Sequence, residues 1–364
     1  MPRLYDLRMA AEDIRIERRG GLGLIALNRP QALNTLSLAM YRTFDPQLVA
    51  WGRDPEIHAI AVKGEGGRAF CAGGDVRAIY DARRSAVGEG DYKTDFFREE
   101  YSLVARVHRF PKPYVALMNG IVMGGGAGIS VNGSHRVVTE KTLFAMPEVF
   151  IGLFPDVGAS RFLTLCPGRV GLYLALTGKR IGAADCLYCG FGTHFVPGAR
   201  LDDLVESLAA IRFEPGRARA QVDAAISRFT SDPGPAALND IQPAIDRVFA
   251  EESVEAIRGA LEKEPGDWAQ EARQAMDRAS PLALKITLRQ LQLGRGMSVE
   301  QALALEYRMT QHVMKGHDFF EGIRAIVVEK DNKPRWQHAS LKDVSAREVE
   351  SYFASLGARE LKFA

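Results

Sequence analysis

The sequence predicts an α/β fold in its first 200 or so residues and a helical region after them. Three observations carry this. Strand-like apolar runs of three to five residues, such as Ala59 to Val62 and Tyr114 to Leu117, return at intervals, each followed by a turn and a helix-compatible segment. Strands this short suit a spiral of stacked turns better than a doubly wound sheet. From about residue 200 the strand-like runs stop, and charged, Ala-rich stretches such as Arg217 to Ile226 and Glu252 to Leu261 take over. The expected division is therefore 1–200 for the spiral core and 201–364 for the helical region.

In chain order, Ile14 to Glu17 and Gly23 to Leu27 flank Arg18-Arg19-Gly20-Gly21 and read as a β-hairpin. A loop over Asn28 to Asn34 leads to an amphipathic helix, with Leu38, Tyr41, Phe44, Leu48 and Trp51 at spacings of three and four. Pro46 should kink or restart that helix. Ala59 to Val62 and Ala69 to Cys71 are strand-like, and Asp75 to Arg83 is helix-compatible, with Asp75 suited to an N-cap. Ser85 to Lys93 reads as a loop. Phe96 to Phe110 reads as a helix with Tyr101, Val104 and His108 on one stripe, stopped by Pro111 and Pro113. Tyr114 to Leu117, Val137 to Thr139 and His194 to Val196 are further strands, with short helices through Leu176 and Cys189. In the helical region, Ser298-x-x-Gln301 is a capping-box signature before a helix with Leu303, Met309 and Val313 facing inward.

Composition excludes several classes. A net charge of +2 sets up no field that would recruit nucleic acid or an acidic membrane. No run of about 18 apolar residues is present for a membrane-spanning helix. The start lacks an apolar signal-peptide core, and Asp6, Glu12, Asp13 and Glu17 argue against a transit peptide, so elimination suggests a cytoplasmic location. Cys71, Cys166, Cys186 and Cys189 form no disulfide framework. The lone Cys186-Leu-Tyr-Cys189 has too few neighbouring ligands for zinc, so buried inert thiols are expected and no metal.

The chemistry-bearing features are two glycine clusters and a carboxylate. Phe70-Cys-Ala-Gly-Gly-Asp75 and Met123-Gly-Gly-Gly-Ala-Gly128 each follow a strand-like run and precede a helix-like one, and Glu148 stands shortly after the second. Backbone N–H groups at such turns can form an anion hole. The second cluster lacks the Gly-Lys-Ser/Thr ending of a P-loop, and no acidic residue stands at the ribose position of a dinucleotide fold. Chemistry on a carbonyl fits better than chemistry on a phosphate. Taken alone, Glu148 could simply begin a helix, Asp156 could be a turn residue, Glu100 beside Arg98 and Glu99 could belong to a solvated face, and Arg29 could be a surface charge. His108 and His135 have no partner pattern and read as structural.

With these motifs together, the sequence resembles the crotonase (enoyl-CoA hydratase/isomerase) superfamily. The matching residues are Leu27-Asn-Arg-Pro-Gln-Ala-Leu-Asn34, Ala69-Phe-Cys-Ala-Gly-Gly-Asp75, Lys112 to Gly120, Met123-Gly-Gly-Gly126 and Phe144-Ala-Met-Pro-Glu148. The resemblance implies a spiral of short ββα turns, a bound coenzyme A thioester, an oxyanion hole at the N–H groups of Gly74 and Gly125, and Gly73 as a substrate-binding residue. Hydratases of the superfamily carry a first glutamate where this chain has Gly128, and syn hydration needs two acid/base groups.

Phe96-Phe-Arg-Glu-Glu-Tyr101, Ala145 to Gly158, Leu174 to Gly178, Asp318 to Ala325 and Asp331 to Trp336 resemble the 3-hydroxyisobutyryl-CoA hydrolase subgroup, extending the match over nearly the whole chain. That resemblance implies thioester hydrolysis in valine catabolism, with Glu148 as catalytic carboxylate, Asp156 as its partner, and Glu100, and more loosely Arg29, at the substrate. It implies no cofactor beyond the CoA of the substrate. The helical region would cover the site or form contacts in a trimer or hexamer. An enoyl-CoA isomerase using Glu148 alone, and a non-catalytic acyl-CoA-binding protein, are the competing readings.

Overall fold

The computed structural model describes residues 12–83 and 90–363. Nine strands occur among them: β1 (Ile14–Arg19), β2 (Leu22–Leu27), β3 (Ala59–Gly64), β4 (Ala69–Cys71), β5 (Tyr114–Met118), β6 (Ile121–Met123), β7 (His135–Val138), β8 (Leu143–Ala145) and β9 (His194–Phe195). β1 and β2 form the expected antiparallel hairpin around Gly20-Gly21. Each later strand of the larger sheet adds in parallel, giving the order β1-β2-β3-β5-β7-β9, while β4, β6 and β8 line up as a second, three-stranded sheet.

This alternation is the spiral. β3 and β4 are followed by the helix Val76–Asp81, β5 and β6 by the helix Gly125–Val131, and β7 and β8 by the 3₁₀ turn Glu148–Ile151. In every turn the first strand joins the large sheet and the second joins the small one. Both glycine clusters and Glu148 thus occupy the same place in three successive turns, directly after the second strand. Sequence reading found β4 but missed β6 and β8, which are equally short.

Asp75 caps the helix Val76–Asp81 as expected, its Oδ1 accepting from the Ala78 N–H at 3.2 Å. Pro46 neither breaks nor restarts its helix, which runs unbroken over Leu38–Arg53. Pro46 and Arg42 lie on the exposed face, where water can serve the carbonyl that loses its donor, while Leu38, Tyr41, Phe44, Leu48 and Trp51 are all buried. The helix predicted from Phe96 starts at Tyr92, and His108 is exposed in its last turn rather than on the buried stripe with Tyr101 and Val104. Of the loop expected over 85–93, residues 85–89 lie outside the described residues. All four cysteines are buried and form no disulfide. No helix among the described residues is long and apolar enough to cross a membrane.

The chain divides into two compact units, neither contiguous. One contains the described residues up to Gly74, Ser102–Phe144 and Ile181–Ala236, and the other the described residues of Asp75–Tyr101, Ala145–Arg180 and those from Ala237 onward. This differs from a division at residue 200, for a physical reason. Leu22, Leu24, Ala59, Ala61, Val115, Leu117 and Val137 share one face of the large sheet, and the helices Leu201–Ala209 and Ala218–Ser227 bury it with Leu204, Val205, Leu208, Val222 and Ile226. A parallel sheet needs both faces covered. After β9 only helices and irregular segments occur among the described residues, as composition suggested. In the second unit, the helices Pro281–Gly294 and Val299–Val313 pack on the short helix Ala159–Phe162. Ser298 and Gln301 make the predicted capping box.

Gly126 shows how closely the first unit is packed. A Cβ there would stand 2.2 Å from the backbone oxygen of Cys71 at the end of β4. Backbone cannot yield as a side chain can, so Gly126→Ala should destabilise the protein by about 1–3 kcal/mol. A thermal melt should show a clearly lower Tm, and an unchanged Tm would contradict this close approach.

Candidate active site

In the first unit the two glycine turns come together. Gly73 has φ +115°, which favours glycine. A Cβ on it would lie 3.5 Å from the Met123 oxygen and 3.8 Å from the Gly125 nitrogen, so the turn after β4 rests on the turn after β6. Gly74 pairs with Leu36 in an isolated parallel bridge in which the Leu36 N–H donates to the Gly73 oxygen at 2.9 Å. In such a bridge the partner strand is served by the flanking residues, so the N–H of Gly74 itself faces away from it. Gly125 is the first residue of its helix, where no carbonyl of a preceding helical turn can accept its N–H. Two N–H groups on adjoining turns are thus available to an anion.

Asn34 holds the neighbouring loop to β4. It is fully buried with φ +57°, its Nδ2 donates to the oxygens of Glu65 (2.9 Å) and Ala69 (2.8 Å), and its Oδ1 accepts from the Arg29 N–H. The Arg29 side chain is engaged with the same region, donating to the Thr35 oxygen at 2.8 Å and pairing with Asp13 at 3.3 Å.

The second unit holds a set of buried carboxyl groups. Glu148, Asp156, Glu100 and Glu306 are at most 5% exposed. The solvated-face alternative for Glu100 is thereby excluded. Burial pushes the Glu148 carboxyl well above its usual range, and the neighbouring negative charges of Asp156, Glu100 and Glu306 act the same way. Its Oε2 is buried with no hydrogen-bond partner among the described residues. Burial raises Asp156 to about 6, against the Tyr101 hydroxyl, which donates to its Oδ2 at 2.7 Å. Carboxyls displaced upward can exchange protons near neutral pH.

Sequence reasoning missed three members of this neighbourhood. Tyr101 was legible only as a core residue. Glu306 accepts from the N–H groups of Gly158 (2.7 Å) and Ser160 (2.8 Å), yet burial still takes it to about 8. Its signal was available: a carboxylate three residues from both Leu303 and Met309, on the inward stripe of its helix. Gln290 donates to the Pro155 oxygen (2.6 Å) and Ser160 Oγ (2.9 Å). The turn they hold is strained, because Val157 is buried and β-branched with φ +55°, a conformation costing about 1–3 kcal/mol.

One constellation looks catalytic and is structural. Ser134 Oγ lies 2.8 Å from His135 Nδ1, and His135 Nε2 lies 2.8 Å from Asp223. Ser134 Oγ, however, accepts from the Tyr114 N–H and sits 3.2 Å from the Tyr114 oxygen, which anchors it to a strand edge. His135 is buried and its pKa is lowered by burial, so it serves as a structural residue, as expected.

Residues 22–353 match the family model described as Enoyl-CoA hydratase/isomerase. The chain is 44% identical over 349 residues to the mitochondrial 3-hydroxyisobutyryl-CoA hydrolase of Xenopus laevis, covering 95% of this chain and 90% of that protein. It is also 44% identical to the rat protein of the same name, over 99% and 94%. Among solved structures, a carnitinyl-CoA dehydratase from Mycobacterium thermoresistibile superposes with a TM-score of 0.89 at 38% identity, covering 97% of this chain and 99% of that one. The cytoplasmic expectation is overturned, because these relatives are named mitochondrial. Elimination on acidic residues at the start was too weak a basis, and Asp6 lies outside the described residues.

The raised Asp156 pKa has a stability consequence. A carboxyl whose folded pKa exceeds its unfolded value stabilises the fold at low pH, and that contribution is lost as pH rises through the folded value, here about 6 against 3.8. Asp156→Asn should therefore gain on wild type by about 2 kcal/mol between pH 4.5 and pH 7. Thermal or denaturant melts at the two pH values measure this, and a constant difference would contradict it.

Proposed function

The chain belongs to the enoyl-CoA hydratase/isomerase family, and on that premise we propose that it hydrolyses the thioester of 3-hydroxyisobutyryl-CoA to 3-hydroxyisobutyrate and CoA, a step of valine breakdown. The observation that carries this reading is Glu148, a buried carboxyl with an oxygen that has no partner among the described residues. Identity to the hydrolases over nearly the full chain supports it. No separate cofactor enters the proposal.

In this mechanism the N–H groups of Gly74 and Gly125 stabilise the oxyanion that forms on the thioester carbonyl, more strongly than they bind the ground-state oxygen. Glu148 acts in one of two ways. As nucleophile, its oxygen bonds to the carbonyl carbon, the C–S bond breaks to release CoA, and water then cleaves the resulting anhydride. As base, it takes a proton from water, which attacks the carbonyl directly. Asp156, oriented by Tyr101, positions the 3-hydroxyl or the water, and Glu100 contributes to the substrate site. Arg29 is assigned to the glycine-turn scaffold rather than to a CoA phosphate, since its side chain is already engaged there.

Likeness to the Mycobacterium dehydratase favours a second reading, addition or removal of water at a double bond. Gly128 opposes it, because the position of the first hydratase glutamate carries no side chain.

Two experiments test the proposal. With 3-hydroxyisobutyryl-CoA, a thiol reagent should register CoA release, and Glu148→Gln should lower kcat by at least about 100-fold with KM little changed. Double-bond hydration without thiol release, or a near wild-type Glu148→Gln, would refute it. 3-Hydroxypropionyl-CoA should also react, because one methyl is worth only about 1–3 kcal/mol of discrimination. Single turnover in H₂¹⁸O bears on the mechanism: label in Glu148 indicates the anhydride, and its absence favours direct attack by water.

A further inference from the structure

The proposed chemistry assigns a role to Asp156 but none to the residues that hold its turn. Resting on that reading of Asp156, we propose that Glu306 and Gln290 are positioning residues that act through Asp156 by clamping the turn Pro155–Ser160 in a conformation it would not hold alone.

Two strained or permissive positions follow Asp156 directly, Val157 at φ +55° and Gly158 at φ +95°. A backbone in this state persists only where its surroundings over-determine it. Here the clamp grips on both sides of Asp156. On the N-terminal side, Gln290 Nε2 donates to the Pro155 oxygen at 2.6 Å. On the C-terminal side, the two oxygens of Glu306 accept from the N–H groups of Gly158 and Ser160, and Gln290 also donates to Ser160 Oγ. Both clamping residues are fully buried. The helix that carries Gln290 is seated against this turn by Gly294, where a Cβ would stand 1.9 Å from the Ser160 oxygen. In so buried a place no water can take over these bonds, so losing an acceptor would leave a backbone N–H unsatisfied. The Tyr101 hydroxyl completes the arrangement by fixing Asp156 Oδ2 itself.

A merely structural clamp would lower Tm and the folded fraction, with catalysis per folded molecule unchanged. A positioning clamp lowers kcat through Asp156, and a double-mutant cycle detects this. The measurements are kcat and KM for CoA release from 3-hydroxyisobutyryl-CoA, normalised to folded protein, for wild type, Asp156→Ala, Glu306→Gln and the double variant. Asp156→Ala should lower kcat at least about 100-fold and Glu306→Gln about tenfold, with KM within about threefold. The double variant should match Asp156→Ala within about twofold, because the clamp has nothing left to position. A further tenfold loss in the double variant, or a wild-type kcat for Glu306→Gln, would overturn the clamp while leaving the role of Asp156 intact. A wild-type kcat for Asp156→Ala would instead remove the reading of Asp156, and the clamp with it. If Glu306→Gln does not fold, Gln290→Met, which removes both donated bonds at similar volume, runs the same cycle with the same outcomes.

Discussion

The first unit depends on a place where a side chain is missing. At Gly126 the helix after β6 approaches the end of β4 so closely that a methyl group would lie inside the contact distance of the Cys71 oxygen. This approach brings the turn at Gly73 onto the nitrogen of Gly125 and leaves two backbone N–H groups on adjoining turns. Dispersion and hydrogen bonding at such range cannot be retuned by a larger residue. The glycines matter here chiefly as permission for backbones to touch, and the anion-binding capacity follows from that contact.

What was legible in the sequence was local. The hairpin, the Asp75 cap and the Ser298 capping box each depend on a few adjacent residues, and each was readable. Of the three short second strands, Ala69–Cys71 was readable as strand-like, whereas Ile121–Met123, only two residues after Tyr114–Met118, was not read apart from it. The packing of the helices after residue 200 on the large sheet was not readable, because composition shows that a helix is amphipathic without showing which sheet its apolar face will cover. Glu148 and Asp156 could be picked out by motif, but their burial could not. Glu100 shows the limit best: beside Arg98 and Glu99 it reads as surface, and only tertiary packing reveals it as interior.

The second unit accepts an electrostatic cost. Several carboxyls are removed from water together, and those with a resolved shift, Glu148, Asp156 and Glu306, move upward. Nothing in folding requires this; apolar residues of the same volume would pack at lower cost. Such a cost concentrated at one place is what the proposed proton-handling site would require. The hydrogen bonds from Tyr101, Gly158 and Ser160 offset part of it without abolishing it.

The interleaving of the two units bears on how the chain is made. Every segment of the first unit is present once Ala236 has been added, whereas the second needs residues up to the C-terminal end. Between those points lie 364 − 236 = 128 residues. At ribosomal speeds of about 5–20 residues per second this is on the order of ten seconds. At the start of that interval Glu100, Glu148 and Asp156 have been synthesised, but Gln290 and Glu306 have not. The nascent chain can therefore complete its anion-binding turns well before its carboxyl groups can be buried, and the reactive half of the proposed chemistry is the last part of the protein to form.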